Sequence, residues 1–466
     1  MDFEEKENMD SGLGISGHSK SVLQMTTSKL DYESPFIVEN GVTKTHEITI
    51  QTQSNTSSNG PIEFHLVADP EKFTDASSVK LHGKVGIHYK NSDGVWENVR
   101  NLPNIPKFGV INNFFSSLIS SCVVKVNDCE IGENSSNSYP YMTYLQTLLG
   151  TSASQSGCKI LEERAFYKDE PNRMERPDLD EDKEAFFLRR KRFTERDWTD
   201  FHIPLHNDLM TAEKYLPPKT KLSFTLKRTE DNFLIWKGSD SDLTDYKVVL
   251  QDLYLTIDQL EVAPEILKNF NEKYGNKEKS PPLKIKYTQN VLKSFAVPAN
   301  QTELKHHNLF FGSHLPDKKY VCIIEQEAYN GHPNKNPFNF ETANMKEAYL
   351  VVNGVKEPTP PYQFTKGTEE NSCYLKFLSN TGTSPFEMDG VNISSQEYKN
   401  GYFILAFDRS PTQDNGLYTH KAQPGSMSLM IKCSAGTPKH YMVLVLASYD
   451  SVLTFAEDKV LTESLY

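Results

Sequence analysis

The sequence has few cysteines, and none of them lies at a metal-ligand spacing. The chain of 466 residues contains six cysteines. Only Cys122 and Cys129 are close together, and the six residues between them exceed the usual gap of about two to four in zinc sites. There is no CxxC motif. We therefore expect six reduced, mostly buried thiols and no metal centre.

Long hydrophobic runs are also absent. No apolar stretch approaches the roughly 18 to 20 residues that a membrane-spanning helix requires. The first twenty residues, MDFEEKENMDSGLGISGHSK, are acidic and polar and lack the apolar core of a secretory signal. We expect synthesis in the cytoplasm rather than secretion, and the sequence leaves any association with a membrane undetermined.

Acidic residues outnumber basic residues in this chain. The chain has 50 Lys and Arg residues against 62 Asp and Glu residues, a formal net charge of −12. Such a balance argues against direct sequence-specific binding of nucleic acid, whose phosphates attract strongly basic surfaces. The one dense basic stretch, LRRKRF at 188–193, follows the acidic DLDEDKE at 178–184. We interpret this run of mixed sign as a solvated loop or a contact between subunits.

The motifs of common enzyme classes are missing. The sequence contains no GxSxG, HExxH, Walker A or EF-hand pattern. The segment GLGISG at 12–17 fits GxGxxG, but no strand precedes it, so we do not interpret it as a nucleotide site. We therefore predict no catalytic residue and no cofactor.

Two groups of histidines deserve comparison with metal sites. His306, His307 and His314 precede a predicted strand, but no Cys, Asp or Glu stands at ligand spacing, which favours an exposed loop. His202 and His206 are four residues apart, but Pro204 between them breaks the helix that this spacing would need. We predict no metal ligand.

Most of the chain shows the pattern of short β-strands. Runs such as KLSFTL and YLTIDQLEV alternate apolar and polar residues, and Gly, Pro, Asn and Asp separate the runs. The pattern is interrupted once, by a charged segment that ends in two prolines. The strand pattern and this interruption together predict an all-β protein. We expect a flexible arm at 1–30, a first sandwich at 31–265, a connector at 266–282 and a second sandwich at 283–466. About eight strands in each half favour two tandem jelly rolls, with short helices and long loops between strands.

One stretch, SYPYMTYLQTLL, has a helical period instead. Its apolar residues recur at i, i+3, i+4 and i+7, with a proline in the first turn and Ser138 as the candidate cap. The residues of this helix that we expect to pack against the protein are Tyr139, Pro140, Tyr141, Tyr144, Leu145 and Leu148. We expect the helix to close one end of a sandwich; alternatively, Tyr139 or Tyr144 lies at a seam between subunits, where aromatic residues are enriched.

Two turns complete the candidate structural residues. Asn353-Gly354 is a strong signal for a two-residue hairpin turn. In YFILAFDRSP, Asp408 could be catalytic, but the Ser-Pro that follows favours a carboxylate that closes the turn after the strand, with Pro411 ending it.

Five stretches, taken in order, resemble the major capsid protein of Polinton (Maverick) elements and adintoviruses. They are NNFFSSLISSCVVKVNDCEIGENSSNSYPYMTYLQTLLGTS at 112–152, DFHIPLHNDLMTAEKYLPPKTKLSFTLKRTEDNFLI at 200–235, YLVVNGVKEPTPPY at 349–362, YKNGYFILAFDRSP at 398–411 and VLASYDSVLTFAEDKVL at 445–461. No single stretch is specific, but their order and spacing together cover nearly the whole chain.

The resemblance implies a double jelly-roll fold, a homotrimeric capsomer and an icosahedral shell in a virion. It also implies contacts between capsomers and with penton and minor capsid proteins. Two other functions remain open from the residues alone. A lectin-like or adhesin-like binding module would share the fold, and a cupin-type enzyme would need a His-x-His motif, which the sequence lacks.

Overall fold

The computed structural model describes residues 40–53, 60–101, 108–132, 138–152, 154–155, 158–176, 184–237, 245–275, 280–364, 370–382, 390–410, 423–456 and 459–464. The predicted arm at 1–30 lies outside these residues, as do Pro411 and the GLGISG segment.

The strands of the first half form two facing sheets and a short ribbon. One sheet contains β1 (Val42–Gln51), β3 (Phe73–Lys90), β4 (Trp96–Asn98), β8 (Thr199–Pro204) and β11 (Tyr246–Val262). The other contains β2 (Ile62–Leu66), β6 (Ile119–Val126), β7 (Cys129–Ile131) and β9 (Leu222–Arg228). The ribbon pairs β5 (Phe108–Val110) with β10 (Ile235–Lys237).

The second half repeats this arrangement. Its first sheet contains β12 (Leu283–Val297), β14 (Lys318–Glu325), β17 (Ile404–Asp408), β19 (Tyr441–Ala456) and β20 (Lys459–Ser464). Its second sheet contains β13 (Glu303–Gly312), β15 (Met345–Val352), β16 (Val355–Gln363) and β18 (Gly425–Cys433). We call the unit of β1–β11 the first sandwich and that of β12–β20 the second sandwich.

Both sandwiches have the same strand order. When the eight core strands of each are numbered along the chain, leaving out β4, β5, β10 and β20, the sheets read 1-8-3-6 and 2-7-4-5 in both. This is the jelly-roll arrangement, in which strands cross repeatedly from one sheet to the other. The chain therefore has the predicted all-β, double jelly-roll fold. The predicted limits of the two units remain a prediction, and helix Pro264–Tyr274 lies across the start of the predicted connector.

Alternation of side chains explains why these segments form strands. In β9, Leu222, Phe224 and Leu226 are buried, and the residues between them are partly exposed. Phe64 of β2 lies opposite Phe224 in the antiparallel register, so that both rings face the core. Period-two patterning places one face of each sheet in the interior, as the sequence predicted for KLSFTL.

Short helices connect the strands. The described α-helices are Phe114–Ser117, Ser138–Gly150, Lys159–Glu163, Ala185–Thr194, Asp231–Leu234, Pro264–Tyr274, Gln326–Tyr329, Glu370–Asn380 and Ser395–Lys399, and 3-10 turns span Val99–Asn101 and Asp208–Thr211. Within the described chain, no helix has both the length and the apolar character needed to cross a bilayer.

Three local expectations differ from the structure. His306 and His307, which we expected in an exposed loop, lie within strand β13. Ser138 lies within helix Ser138–Gly150 and is not the cap before it. The LRRKRF stretch is not a solvated loop, because it lies within helix Ala185–Thr194 and the Arg189 side chain is completely buried. A charge run indicates solvent exposure only when no buried partner is available, and a partner for Arg189 lies elsewhere in the chain.

Candidate functional site: the seam between the two sandwiches

The sequence-predicted helix lies between the two sandwiches. We call Ser138–Gly150 the aromatic helix, and we call the contacts between residues of the first and second sandwiches the seam. The ring of Tyr144 stacks on that of Phe338 at 4.0 Å between centroids, and the ring of Tyr141 stacks on that of Tyr329 at 5.5 Å. Phe340 adds an edge contact to Tyr144 at 6.0 Å. Rings from both halves of the chain thus form one aromatic cluster.

The predicted apolar face of this helix is buried throughout. Tyr141, Tyr144, Leu145 and Leu148 have almost no exposed surface. The helix packs on β6, as expected for a plug at a sandwich end, but its rings also reach the other sandwich. The sequence indicated a buried face without indicating its partner, since Phe338 lies in an irregular loop almost 200 residues away.

Tyr139 and Pro140 are also buried but contribute differently. The Tyr139 hydroxyl accepts a hydrogen bond from the His206 backbone N–H at 3.0 Å, within the first sandwich. Pro140 is the third residue of the helix, and its carbonyl accepts a bond from the Thr143 hydroxyl at 3.1 Å. The alternative of a seam between subunits stays a prediction for Tyr139 and Tyr144.

A buried charge network adjoins the aromatic cluster. Arg189 donates to Asp169 Oδ1 at 2.6 Å, and the two side chains are 0% and 1% exposed. The rest of the guanidinium donates to the carbonyls of Val110 and Tyr167, both at 2.9 Å. Because each of the three guanidinium nitrogens donates to an oxygen, much of the cost of removing this cation from water is offset.

Asp169 extends this network into the second sandwich. Asn336 Nδ2 donates to Asp169 Oδ2 at 3.2 Å, and the Tyr402 hydroxyl donates to the Asp169 backbone carbonyl at 2.8 Å. Asn336 and Tyr402 both belong to the second sandwich. Sequence reasoning missed this residue, because a single Asp within an irregular segment carries no local signal of its distant partners.

Beside this network, an ion pair joins the two sandwiches across the seam. Lys168 Nζ lies 2.7 Å from Glu397 Oε1 and 5.3 Å from the centre of the Tyr402 ring. Glu397 also completes a capping box with Ser394 at the start of helix Ser395–Lys399. Burial acts to raise the pKa of Glu397, but hydrogen bonds from Lys168 and Ser394 outweigh it and lower this pKa.

Glu175 supplies a further carboxylate to the seam. It accepts from the Asn339 side-chain amide at 2.7 Å and from the Asn336 backbone N–H at 3.0 Å. Burial raises the pKa of Glu175 despite these bonds. The seam therefore holds two polar contacts with opposite responses to pH.

The first sandwich also covers a strand edge of the second. Asp208 Oδ1 accepts from the backbone N–H of Asn290 at 2.9 Å, and the Thr211 hydroxyl accepts from that of Thr288 at 2.7 Å. The Glu213 N–H donates to the carbonyl of Lys286 at 3.0 Å. The backbone groups of these three β12 residues point away from β19. Residues 208–213 therefore form hydrogen bonds with a strand edge that would otherwise be open.

The remaining predicted residues that the structure describes lie away from the seam. Asn353 and Gly354 form the turn between β15 and β16 with φ of 50° and 85°, left-handed values that suit this dipeptide. Asp408 Oδ1 accepts from the Ser410 N–H at 2.8 Å, an arrangement that closes the turn after β17. Of the predicted residues that the structure describes, only those of the aromatic helix come together.

The described residues can be compared with the metal sites that the histidines and cysteines of the sequence raised. They contain no group of three or more His, Cys, Asp or Glu side chains able to hold a metal ion. All six cysteines are free, with Cys158 exposed. His306 packs on the Phe295 ring at 4.7 Å, and His314 packs edge-on to Tyr449 at 5.5 Å.

Comparison of the sequence gives one distant relative. No family model matches the chain. An uncharacterized protein of Caenorhabditis elegans is 22% identical over 406 residues, which cover 85% of this chain and 91% of that protein.

Comparison of the structure gives the fold. A chain of the Sputnik virophage structure superposes with a TM-score of 0.64 at 12% identity, covering 94% of this chain and 92% of that one. The mavirus major capsid protein gives 0.53 at 12% identity, covering 100% and 97%. A chain of the PBCV-1 virus capsid gives 0.53 at 8%, covering 93% and 100%. Over nearly its whole length, this chain shares the double jelly-roll fold of these viral proteins.

Proposed function

We propose that this chain is a structural major capsid protein whose function is self-assembly into an icosahedral shell. The observation that carries the proposal is the seam, which holds two jelly rolls of identical strand order in one fixed orientation. A fixed pair of similar units is a suitable building block for a closed shell, because each unit can present similar surfaces to its neighbours.

The assembly unit in this proposal is a homotrimer. Three chains bring six similar sandwiches together, and six similar units arranged in a ring give a pseudo-hexagonal capsomer that tiles a shell. The similarity of the fold to the mavirus major capsid protein and to a PBCV-1 capsid chain supports this choice. The residue patterns at 112–152 and 398–411 favour the Polinton, Maverick and adintovirus lineage within this fold.

The proposal extends to partners and location. The chain would contact itself within and between capsomers, and penton and minor capsid proteins at the vertices. Its place is the virion capsid, after synthesis in the host cytoplasm. The net charge of −12 favours contact with the genome through another protein rather than through this chain.

The test is the mass of the purified full-length chain by light scattering after size exclusion, with negative-stain images of the same fractions. The expected mass is about three times the 53.0 kDa of one chain, with capsomers of hexagonal outline. A chain that stays monomeric across salt and pH, with no particles in the images, would overturn the proposal.

A further inference from the structure

An equivalent strand edge is covered in the second sandwich and open, among the described residues, in the first. β12 and β1 are the first strands of their sandwiches, and each pairs on one side with the last core strand, β19 or β11. The other edge of β12 is covered by residues 208–213 of the first sandwich. Among the described residues, no backbone hydrogen bond reaches the other edge of β1 over residues 42–51.

The backbone groups on this open edge can be identified from β12. There, Lys286 and Thr288 point their side chains away from the core and their backbone groups toward the covered edge. Along a strand, side chains alternate between the two faces of the sheet, and backbone N–H and C=O groups alternate between the two edges of the strand. An equivalent strand therefore keeps the same relation between the face of a side chain and the edge of its backbone groups. In β1, Ile50 faces the core, which leaves the backbone groups of Glu47 and Thr49 on the open edge.

The open edge of β1 lacks one common protection, which is proline. β16, another edge strand, carries Pro358, Pro360 and Pro361, which cannot donate hydrogen bonds to an added strand. β1 has the sequence VTKTHEITIQ, with no proline and ten residues of length. An exposed edge of this kind is a template for pairing with another chain unless a partner covers it.

The seam shows which partner fits. Within one chain, the first sandwich covers the leading edge of the second, so the contact joins two different surfaces. A contact of this head-to-tail kind builds a ring when it is repeated between similar units. We propose that the edge of β1, through the backbone groups of Glu47 and Thr49, is covered by the second sandwich of a second copy of this chain. This inference rests on the proposed capsomer, in which six sandwiches alternate around a ring.

The test compares two variants at one position. Thr49→Pro removes the N–H on the open edge and leaves the pairing with β11 intact, whereas Thr49→Val keeps the N–H. We expect Thr49→Pro to remain folded by circular dichroism but to raise the concentration for half-maximal assembly by about tenfold or more, because every contact between chains loses a backbone bond and meets the proline ring. Thr49→Val should assemble like the unchanged chain.

The outcomes separate the two proposals. If the unchanged chain never assembles, both fail. If the unchanged chain and Thr49→Pro assemble equally, only the assignment of the β1 edge is overturned. Should Thr49→Pro not fold, hydrogen exchange of the unchanged full chain decides: the amides of Glu47 and Thr49 should exchange slowly in the assembled form and rapidly in dilute monomer. Slow exchange in dilute monomer would mean that a segment of the same chain covers the edge, and would overturn the proposal.

Discussion

The ring of Tyr144 in the first sandwich stacks on the ring of Phe338 in the second, with centroids 4.0 Å apart and planes inclined by 10°. Both rings are completely buried. Stacked aromatic pairs contribute beyond the area that they bury, so this contact couples the stability of one sandwich to that of the other. The aromatic helix therefore connects two parts of the fold and is not only a plug for one of them.

Replacing Phe338 by Ala should destabilise the whole chain by about 3 to 5 kcal/mol, since the cavity opens between the sandwiches. Phe311→Ala is the control, because Phe311 is 79% exposed and its loss should change stability by no more than about 0.5 kcal/mol. Chemical denaturation followed by fluorescence measures both. Equal midpoints for the two variants would mean that the seam does not contribute to folding.

Two buried tyrosine hydroxyls should respond in opposite ways to removal. The Tyr141 hydroxyl has no hydrogen-bond partner among the described residues, so Tyr141→Phe should be neutral or slightly stabilising. The Tyr402 hydroxyl donates to the Asp169 carbonyl, so Tyr402→Phe should cost about 1 kcal/mol. The free energies of unfolding of the two variants, measured side by side, test the difference. A larger loss for Tyr141→Phe would contradict the assignment.

Removing the Arg189 charge should be among the most damaging single changes. Arg189→Met leaves Asp169 buried without its cation, and we expect a loss of about 3 to 5 kcal/mol. Lys191→Met, on the same helix, breaks only an exposed pair with Glu195 and should cost a few tenths of a kcal/mol. Urea denaturation of both variants provides the comparison, and similar losses would show that the Arg189 pair is dispensable.

His206 should make stability fall as the pH is lowered from about 6.5. Burial and the nearby Arg164 lower the pKa of His206 from 6.5 to about 4, so in this interval the unfolded chain binds the proton and the folded chain does not. The stabilisation is complete above pH 6.5 and is lost toward pH 4. It amounts to at most about 3 kcal/mol, reduced by the partial exposure of the ring.

His206→Gln tests this pH dependence. The variant can still bond Gln146, which His206 Nδ1 contacts at 2.9 Å, but it cannot titrate. Its free energy of unfolding should therefore fall less steeply than that of the unchanged chain between pH 6.5 and 4. Parallel pH profiles would show that His206 does not carry the effect.

The purified chain should not bind duplex DNA strongly. With a net charge of −12, we expect no dissociation constant below about 10 µM at about 0.15 M salt. Fluorescence anisotropy of a labelled duplex over a range of salt concentrations provides the measurement. Tight binding that weakens steeply with salt would contradict the expectation and would indicate a local basic surface.

Local patterns determined much of this protein by themselves. Alternation in KLSFTL and the i, i+3, i+4, i+7 spacing in SYPYMTYLQTLL each predicted the correct element, because side-chain periodicity depends only on neighbouring residues. The Asn353-Gly354 turn is similar, since two left-handed residues are a local requirement. The acidic balance of charge is likewise a property of the sequence alone.

Tertiary structure decided the rest. The partner of Tyr144 is Phe338, the partner of Arg189 is Asp169, and the edge of β12 is covered by residues 208–213. No period or spacing in the sequence links these residues. The Tyr144–Phe338 contact and the cover of β12 form only when the two sandwiches pack together, whereas Arg189 and Asp169 meet within the first sandwich. The basic run at 188–193 illustrates the difference between local pattern and tertiary structure. Its charge pattern indicated exposure to solvent, but Arg189 is buried in a pair with the Asp169 carboxylate.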